Sequence, residues 1–374
     1  MFNSIKNLFA TKQLPMNKIR IHKDAILFNY FLFGVRPNDA IFPVIKSNAY
    51  GHLAEIVQIL DDVNTPYLIV DSLPEFHIAK EHTDKNFLLL ETNPSNYTIV
   101  HSRRLTLTVY NLSTLTYLLQ TEKSYKIHLF LNTMNRELDA TALEECLELL
   151  KHHENKNNIT VEVLSHFADA ENPDQTTIMS QINLFKKMYY TVLDYHNIKR
   201  RHINSAALLG VETDFFNSWR PLALYYNPLP ENHPQFEKEQ LKPALEIQST
   251  IVAKQDVQAS VGYNATWVAK ETTTICTIPF GYKELPRVSS NTLMFYKNSQ
   301  DEKKIDMLQQ VGTISMNLCS FVDDASLCAV DKITVISPNK SSGFSMENLA
   351  QKSQTIVYEC LVRLDPMLRR EIVD

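Results

Sequence analysis

Lys46 follows directly on the apolar run Phe42-Pro43-Val44-Ile45 and lies inside the segment Val44 to His52, VIKSNAYGH. A lysine leaving a buried strand is partly removed from water, which favours the neutral amine that Schiff-base chemistry requires. Taken alone, a strand-end lysine is more often a solvated surface residue, so its setting must decide. Other chemistries lack their residues. The five cysteines (Cys146, Cys276, Cys319, Cys328 and Cys360) form no CxxC pair and no Cys/His cluster of zinc spacing. They read as reduced, mostly buried thiols of a cytoplasmic protein, and no metal is expected. Neither GxGxxG nor GxxxxGKS/T occurs, so the dinucleotide and P-loop readings lack their phosphate loops.

Bulk properties narrow the classes further. A net charge of −5 argues against a nucleic-acid surface, and the runs Lys199-Arg200-Arg201 and Arg369-Arg370 are too short to change that. No apolar run approaches the ~20 residues that cross a bilayer, so no membrane association is expected. The opening MFNSIKNLFATKQLP is too polar for a secretory signal.

The elements that must position Lys46 follow from patterning. Strand candidates are Ile41–Ile45, Tyr67–Asp71, Phe87–Glu91, Leu105–Val109, Ile127–Leu131, Thr160–Leu164, His202–Ala207 and Pro221–Tyr225. Helical patterns interleave them: Ala25–Phe33 before the first, then Leu53, Ile56, Val57 and Leu60 on one face, Leu112–Gln120, Ala142–His152 and Thr177–Tyr195. Eight such βα units predict an α/β fold, a closed (β/α)8 barrel, with an open doubly wound sheet as the alternative. In a barrel, reactive groups sit where strands meet the following loops, which is where Lys46 lies. Asn227–Pro243, with four prolines, reads as a linker. Beyond it Leu245–Val252, Thr273–Ile278, Val311–Ser315 and Lys332–Ile336 read as strands of a mainly β domain, which Lys18–His22 could join. The expected boundaries are an N-terminal extension 1–16, a barrel 17–240 and a β domain 241–374.

VIKSNAYGH closely resembles the pyridoxal 5'-phosphate (PLP) lysine segment of alanine racemases, roughly V-V-K-A-N-A-Y-G-H-G. The similarity continues in order along the chain. Leu164-Ser165-His166-Phe167-Ala168 resembles T-H-F-A, Asn204-Ser205-Ala206 resembles N-S-A, and Arg220-Pro221 followed by Leu224-Tyr225 resembles R-P-G-I-x-L-Y. Val261-Gly262-Tyr263-Asn264-Ala265-Thr266 resembles V-S-Y-G-x-T. Ile278 to Tyr282 matches I-P-x-G-Y, Val311 to Met316 is similar to V-G-R-V-x-M, and Tyr358-Glu359 through Arg363 to Y-E-x-x-x-R.

The resemblance implies an isomerase that interconverts L- and D-alanine through two bases, with PLP as cofactor, and supplies D-alanine for peptidoglycan. It implies Lys46 as cofactor lysine and D-face base and Tyr263 as L-face base, supported by His166 and Arg220. Tyr50, Ser205 and Tyr358 would contact the phosphate, and Arg220 the pyridine nitrogen. Arg136, Met316 and Tyr282 would receive the amino acid. Tyr263 would reach the partner subunit's site in a homodimer with composite sites. The match departs most at Phe130-Leu131-Asn132-Thr133-Met134-Asn135-Arg136, against K-x-D-T-G-M-x-R. There a glycine is missing, and Phe130 takes the place of a lysine that is carbamylated in some members. Asn264 and Leu222 replace glycines, in a chain with only seven of them, so positive φ must be managed by substitutes such as asparagine. These departures leave room for a racemase of another amino acid or a catalytically weakened PLP-binding homologue.

Overall fold

The computed structural model describes residues 16–33, 40–52, 56–91, 102–121, 125–133, 137–153, 159–193, 201–204, 215–216, 218–220, 241–286, 294–297, 307–323, 327–328, 331–338 and 345–374, with backbone alone at 33, 201–204, 218–220, 294–297 and 307. The chain divides into two compact units, Lys23–Ala244 and a unit that joins the N-terminal strand to Leu245–Asp374. That N-terminal strand is β1 (Lys18–His22).

The first unit runs α1 (Lys23–Phe33), β2 (Ala40–Ile41), α2 (Ile56–Asp61), β3 (Tyr67–Val70), α3 (Leu73–Ala79), β4 (Asn86–Leu89) and β5 (Leu105–Val109). It continues with α4 (Leu112–Leu119), β6 (Tyr125–Phe130), α5 (Ala140–His152), β7 (Ile159–Leu164), α6 (Thr176–Leu193), β8 (Arg201–Asn204) and β9 (Ser218–Arg220). The eight strands pair in parallel in the order β2-β9-β8-β7-β6-β5-β4-β3. A parallel bridge between Val44 and Ile69 closes the ring, so the expected barrel forms rather than an open sheet. Pro43, which has no N–H to give a ladder, still accepts from Ile69 N at 2.9 Å through its carbonyl.

Parallel strands covered on both faces read as continuous apolar runs, and β3 and β5 are buried at every position. The interior is not wholly apolar. Phe42 stacks on Tyr67 at 5.5 Å, Tyr67 meets the His128 ring edge-on, and His128 Nε2 lies 3.1 Å from a Glu162 carboxylate oxygen. Outer helices pack by one stripe. In α5, Leu143, Cys146, Leu147 and Leu150 are buried, and Asp139 caps the helix by accepting from Ala142 N. Each such buried leucine contributes about 1.5–3 kcal/mol. The described part of the last strand is Ser218–Arg220, and the expected Pro221–Tyr225 falls outside the described residues.

In the second unit a nine-stranded sheet has the order β11-β14-β17-β16-β15-β18-β10-β1-β19. Its strands are β10 (Leu245–Thr250), β11 (Ala253–Val257), β14 (Thr273–Ile278), β15 (Met294–Lys297), β16 (Met307–Val311), β17 (Cys319–Val322), β18 (Lys332–Ile336) and β19 (Arg369–Val373). A separate pair is β12 (Ser260–Val261) with β13 (Trp267–Val268), and two helices, α7 (Met346–Lys352) and α8 (Val357–Val362), precede β19. β1 runs antiparallel to β10 and parallel to β19. The strand expected at Val311–Ser315 instead ends at Val311, because Gly312 turns the chain at φ 71°. Among the described residues no helix is long and apolar enough to cross a membrane.

Candidate active site

Where β2 and its extension end, the backbone does something the residue types disfavour. Ser47, Asn48, Ala49 and Tyr50 all have positive φ, between 51° and 56°, and Gly51 follows at 77°. This is a left-handed helical turn, which costs about 1–2 kcal/mol per L-residue outside glycine and asparagine. Several contacts offset that strain. Ala49 N donates to Ile45 O at 2.9 Å, Gly51 N to Ser47 O at 3.3 Å and His52 N to Ala49 O at 3.1 Å. His52, fully buried, brings Nδ1 within 3.0 Å of Ala49 O and 2.9 Å of Tyr50 O. Ala49 and Tyr50 are buried beneath the turn.

The turn leaves Lys46 on the wall of a cavity of about 330 Å³. Asp71, Leu90, Tyr110, Phe130, Glu137 and His166 complete the lining. Asp71, Leu90 and Tyr110 are the first residues past β3, β4 and β5, so this is the C-terminal rim of the barrel. Phe130 and Tyr110 meet edge to face at 4.8 Å, giving one side of the cavity an aromatic wall.

His166 is set by the end of β7. Ser165 Oγ lies 2.9 Å from Leu131 O and 2.8 Å from Thr133 Oγ1, and Thr133 Oγ1 donates to His166 O at 2.9 Å. Gln181 of α6 donates to Thr133 O at 3.0 Å. Phe167 is buried against Phe185 and Phe216, so His166 is left at the rim with its neighbours on both sides anchored inward.

Of the residues singled out in the sequence, the barrel therefore brings Lys46 and His166 to one cavity, while Tyr50 is buried in the left-handed turn that follows Lys46. Arg220 ends β9. Arg136 and Ser205 lie outside the described residues. Tyr263, Met316, Tyr282 and Tyr358 belong to the second unit. There Tyr263 bridges Thr313, Tyr282 N donates to Ser315 O at 3.1 Å, and Lys283 N donates to Met316 O at 3.1 Å. These bonds gather Tyr263, Tyr282 and Met316 around one pair of loops. Gly281 must be glycine, because a Cβ there would lie 2.3 Å from Met316 O. Asn264 has φ 64°, the conformation that its substitution for glycine requires, and Ala265 follows at 49°. Tyr358 sits half-buried in the first turn of α8.

Sequence reasoning missed Asp71, Leu90, Tyr110 and Glu137. The first three were findable, since each lies at the C-terminal end of an expected barrel strand.

Known proteins agree with this architecture. The family model described as alanine racemase, N-terminal domain, matches residues 21–227, and that of the alanine racemase C-terminal domain matches 244–372. Alanine racemase of Vesicomyosocius okutanii is 30% identical over 337 residues, covering 87% of this chain and 89% of that protein. That of Pseudoalteromonas atlantica is 26% identical over 346 residues, with 88% of each covered. Alanine racemase of Clostridium difficile 630 superposes with a TM-score of 0.85 at 23% identity, over 97% of each chain. The Bacillus anthracis enzyme with bound L-Ala-P gives 0.83 at 22%, over 96% of this chain and 95% of that one. With both family models matched across almost the whole chain, this protein belongs to the alanine racemase family.

Proposed function

We propose that this protein is a PLP-dependent racemase that interconverts L- and D-alanine, supplying D-alanine for peptidoglycan in the cytoplasm. The observation that carries the reading is Lys46, delivered by a left-handed turn into a cavity of about 330 Å³ at the C-terminal rim of a parallel barrel. The cavity suits the cofactor. It offers a primary amine, an imidazole and an aromatic wall for a flat ring, and its size lies in the range of small-molecule sites. PLP when bound supplies an electron sink for negative charge at Cα of the amino acid.

The chain's own residues do the rest. The Lys46 amine would hold the cofactor covalently and move the proton on the D face. Tyr263 moves the proton on the L face, since inversion needs one base on each side. His166 and Arg220 would supply positive charge that helps a phenol act as a base, and Arg220, a permanent cation, would disfavour a proton on the pyridine nitrogen. Tyr50, Ser205 and Tyr358 would hold the phosphate. Arg136 would take the substrate carboxylate, together with the Met316 backbone and Tyr282 of a second copy. Tyr263, Tyr282 and Met316 are 66%, 41% and 53% exposed, which supports a homodimer in which this surface meets the barrel rim of a second copy. Phe130 and Glu137 in the lining favour one further reading, a racemase that prefers another amino acid.

The test is incubation of the PLP-loaded protein with L-alanine in deuterated water, following chirality and Cα deuterium. Deuterated D-alanine should accumulate. Lys46→Ala should lose the visible absorbance of lysine-bound cofactor and roughly 10³-fold or more of the rate. Persistence of that band in the variant, or no Cα exchange with any amino acid in the wild type, would refute the proposal. Turnover of another amino acid at a rate above that of alanine would select the second reading.

A further inference from the structure

The hydrogen bonds around Lys46 can be followed rung by rung. In a parallel pair the bonds alternate between strands at even spacing. Ile69 N donates to Pro43 O at 2.9 Å, and Ile45 N donates to Ile69 O at 2.8 Å. One step further, Asp71 N would donate to Ile45 O, and Ser47 N to Asp71 O. Neither rung is present. Ile45 O accepts from Ala49 N within the left-handed turn, and Asp71 O accepts from Glu91 N at 2.8 Å. The two displaced donors converge on one carboxylate. Asp71 N donates to Glu75 Oε2 at 2.8 Å, and Ser47 N donates to Glu75 Oε1 at 2.6 Å.

Glu75 occupies the third position of α3, whose N-cap is Ser72. Glutamate at this position commonly reaches back to the N-cap N–H. Here it reaches one residue further, to Asp71, and spends its second oxygen on a residue 28 positions away. The peptide group it grips is the one that joins Lys46 to Ser47. We propose that Glu75 is a positioning residue for Lys46. Its carboxylate replaces the last two rungs of the ladder, turns the chain out of the sheet, and holds the left-handed turn that places the lysine amine on the cavity wall. Because Asp71 also lines the cavity, one side chain braces two of its walls. A carboxylate suits the role because both oxygens accept. A glutamine would present one acceptor and one donor to two N–H groups.

The inference rests on the reading of Lys46 as the cofactor lysine, and the experiment separates the two. Full-length wild type, Glu75→Gln and Glu75→Ala are loaded with PLP. Three quantities are followed: amide hydrogen exchange at Ser47 and Asp71, loss of the visible cofactor band on dilution, and the thermal midpoint. Both variants should exchange faster at Ser47. Glu75→Ala should release PLP about tenfold to a hundredfold faster, in line with loss of a hydrogen bond to a charged group. Glu75→Gln should fall between Ala and wild type. A fall in kcat should exceed any rise in KM for alanine, because the affected residue acts on the cofactor side. A helix cap with no bearing on Lys46 would lower the thermal midpoint and leave exchange at Ser47 and PLP release unchanged, and that result would overturn the inference. If Glu75→Ala does not fold, Glu75→Gln, which keeps the side-chain volume and one acceptor, decides the matter. A wild type that never develops the band would sink the reading of Lys46, while exchange at Ser47 would still decide whether Glu75 holds the turn.

Discussion

Lys46 and Tyr263, the two residues proposed to move protons, sit on backbone of opposite character. Lys46 opens a strained left-handed turn whose later residues are buried and whose amides are bonded to Ile45, Ser47 and Glu75. Tyr263 follows β12 in a short two-stranded ribbon, has a single bridge to Thr313, and is two-thirds exposed. The difference teaches where organisation resides. The lysine is pre-positioned by its own barrel, so strain there is held by local bonds. The tyrosine is displayed rather than enclosed, as befits a group whose environment is proposed to be completed by a second copy.

Removing the tyrosine's chemistry without its shape tests that contrast most severely. Tyr263→Phe should lower racemisation by about 10²–10⁴-fold, the range for loss of a positioned proton-transfer group. The cofactor band should stay intact, because the lysine end is organised independently. D-alanine should still exchange its Cα hydrogen with deuterated water through Lys46, without inversion. Proton NMR with a chiral assay reads both, and a variant that racemises at the wild-type rate would remove Tyr263 from the mechanism.

A smaller effect is expected from the loops beneath the tyrosine. Adding a Cβ at Gly281 places it 2.3 Å from Met316 O and 2.4 Å from Ser315 O, the carbonyls that accept from Lys283 and Tyr282. Backbone cannot yield as a flexible side chain can, so Gly281→Ala should cost about 1–3 kcal/mol and raise KM for alanine. Its cofactor band should match the wild type, in contrast to the Glu75 variants. Denaturant unfolding and initial rates check both. A variant with wild-type stability and KM would show that Tyr282 and Met316 are not held by this contact.

How much of this was legible in the sequence varied with the range of the interaction that sets it. Leu105–Val109 read as a strand and is one, since five buried apolar or threonine positions leave a parallel strand few alternatives. Val311–Ser315 was misplaced because Gly312 adopts φ 71° and ends the strand there, which an alternating pattern does not reveal. Asn264 could be anticipated at positive φ, as asparagine tolerates it, whereas Ala265 could not. The left-handed turn after Lys46 is the extreme case. Serine, alanine and tyrosine give no local signal for it, and the carboxylate that holds Ser47 comes from another helix. Short motifs located Lys46 and His166, but not the side chains that aim them.

The framework that carries the tyrosine offers the mildest test of the contrast. If the β unit were merely loose, Tyr263 would be exposed for want of order rather than for display. The seam between β1 and β10 argues otherwise. Glu246, buried on β10, receives Arg20 Nη1 at 2.8 Å, Gln248 Nε2 at 2.7 Å and Thr334 Oγ1 at 3.1 Å, with His22 Nε2 at 3.5 Å. Burial alone would raise its carboxyl. The His22 ring close by, the hydrogen bond from Gln248, the Arg20 charge and the Thr334 hydroxyl outweigh that and hold it below the ordinary value of 4.5. A carboxyl depressed in the folded state contributes stability that is fully present above its unfolded value and is lost as pH falls through the folded one. Glu246→Gln should therefore destabilise the protein by about 1–3 kcal/mol near neutral pH. The gap from wild type should close as pH falls below 4.5, where the native side chain too becomes neutral. Urea unfolding of both proteins across that range measures it. A gap that stays constant or widens in acid would mean that the seam is held by packing alone, and that the charge on Glu246 does nothing to fasten the first strand to the unit that displays Tyr263.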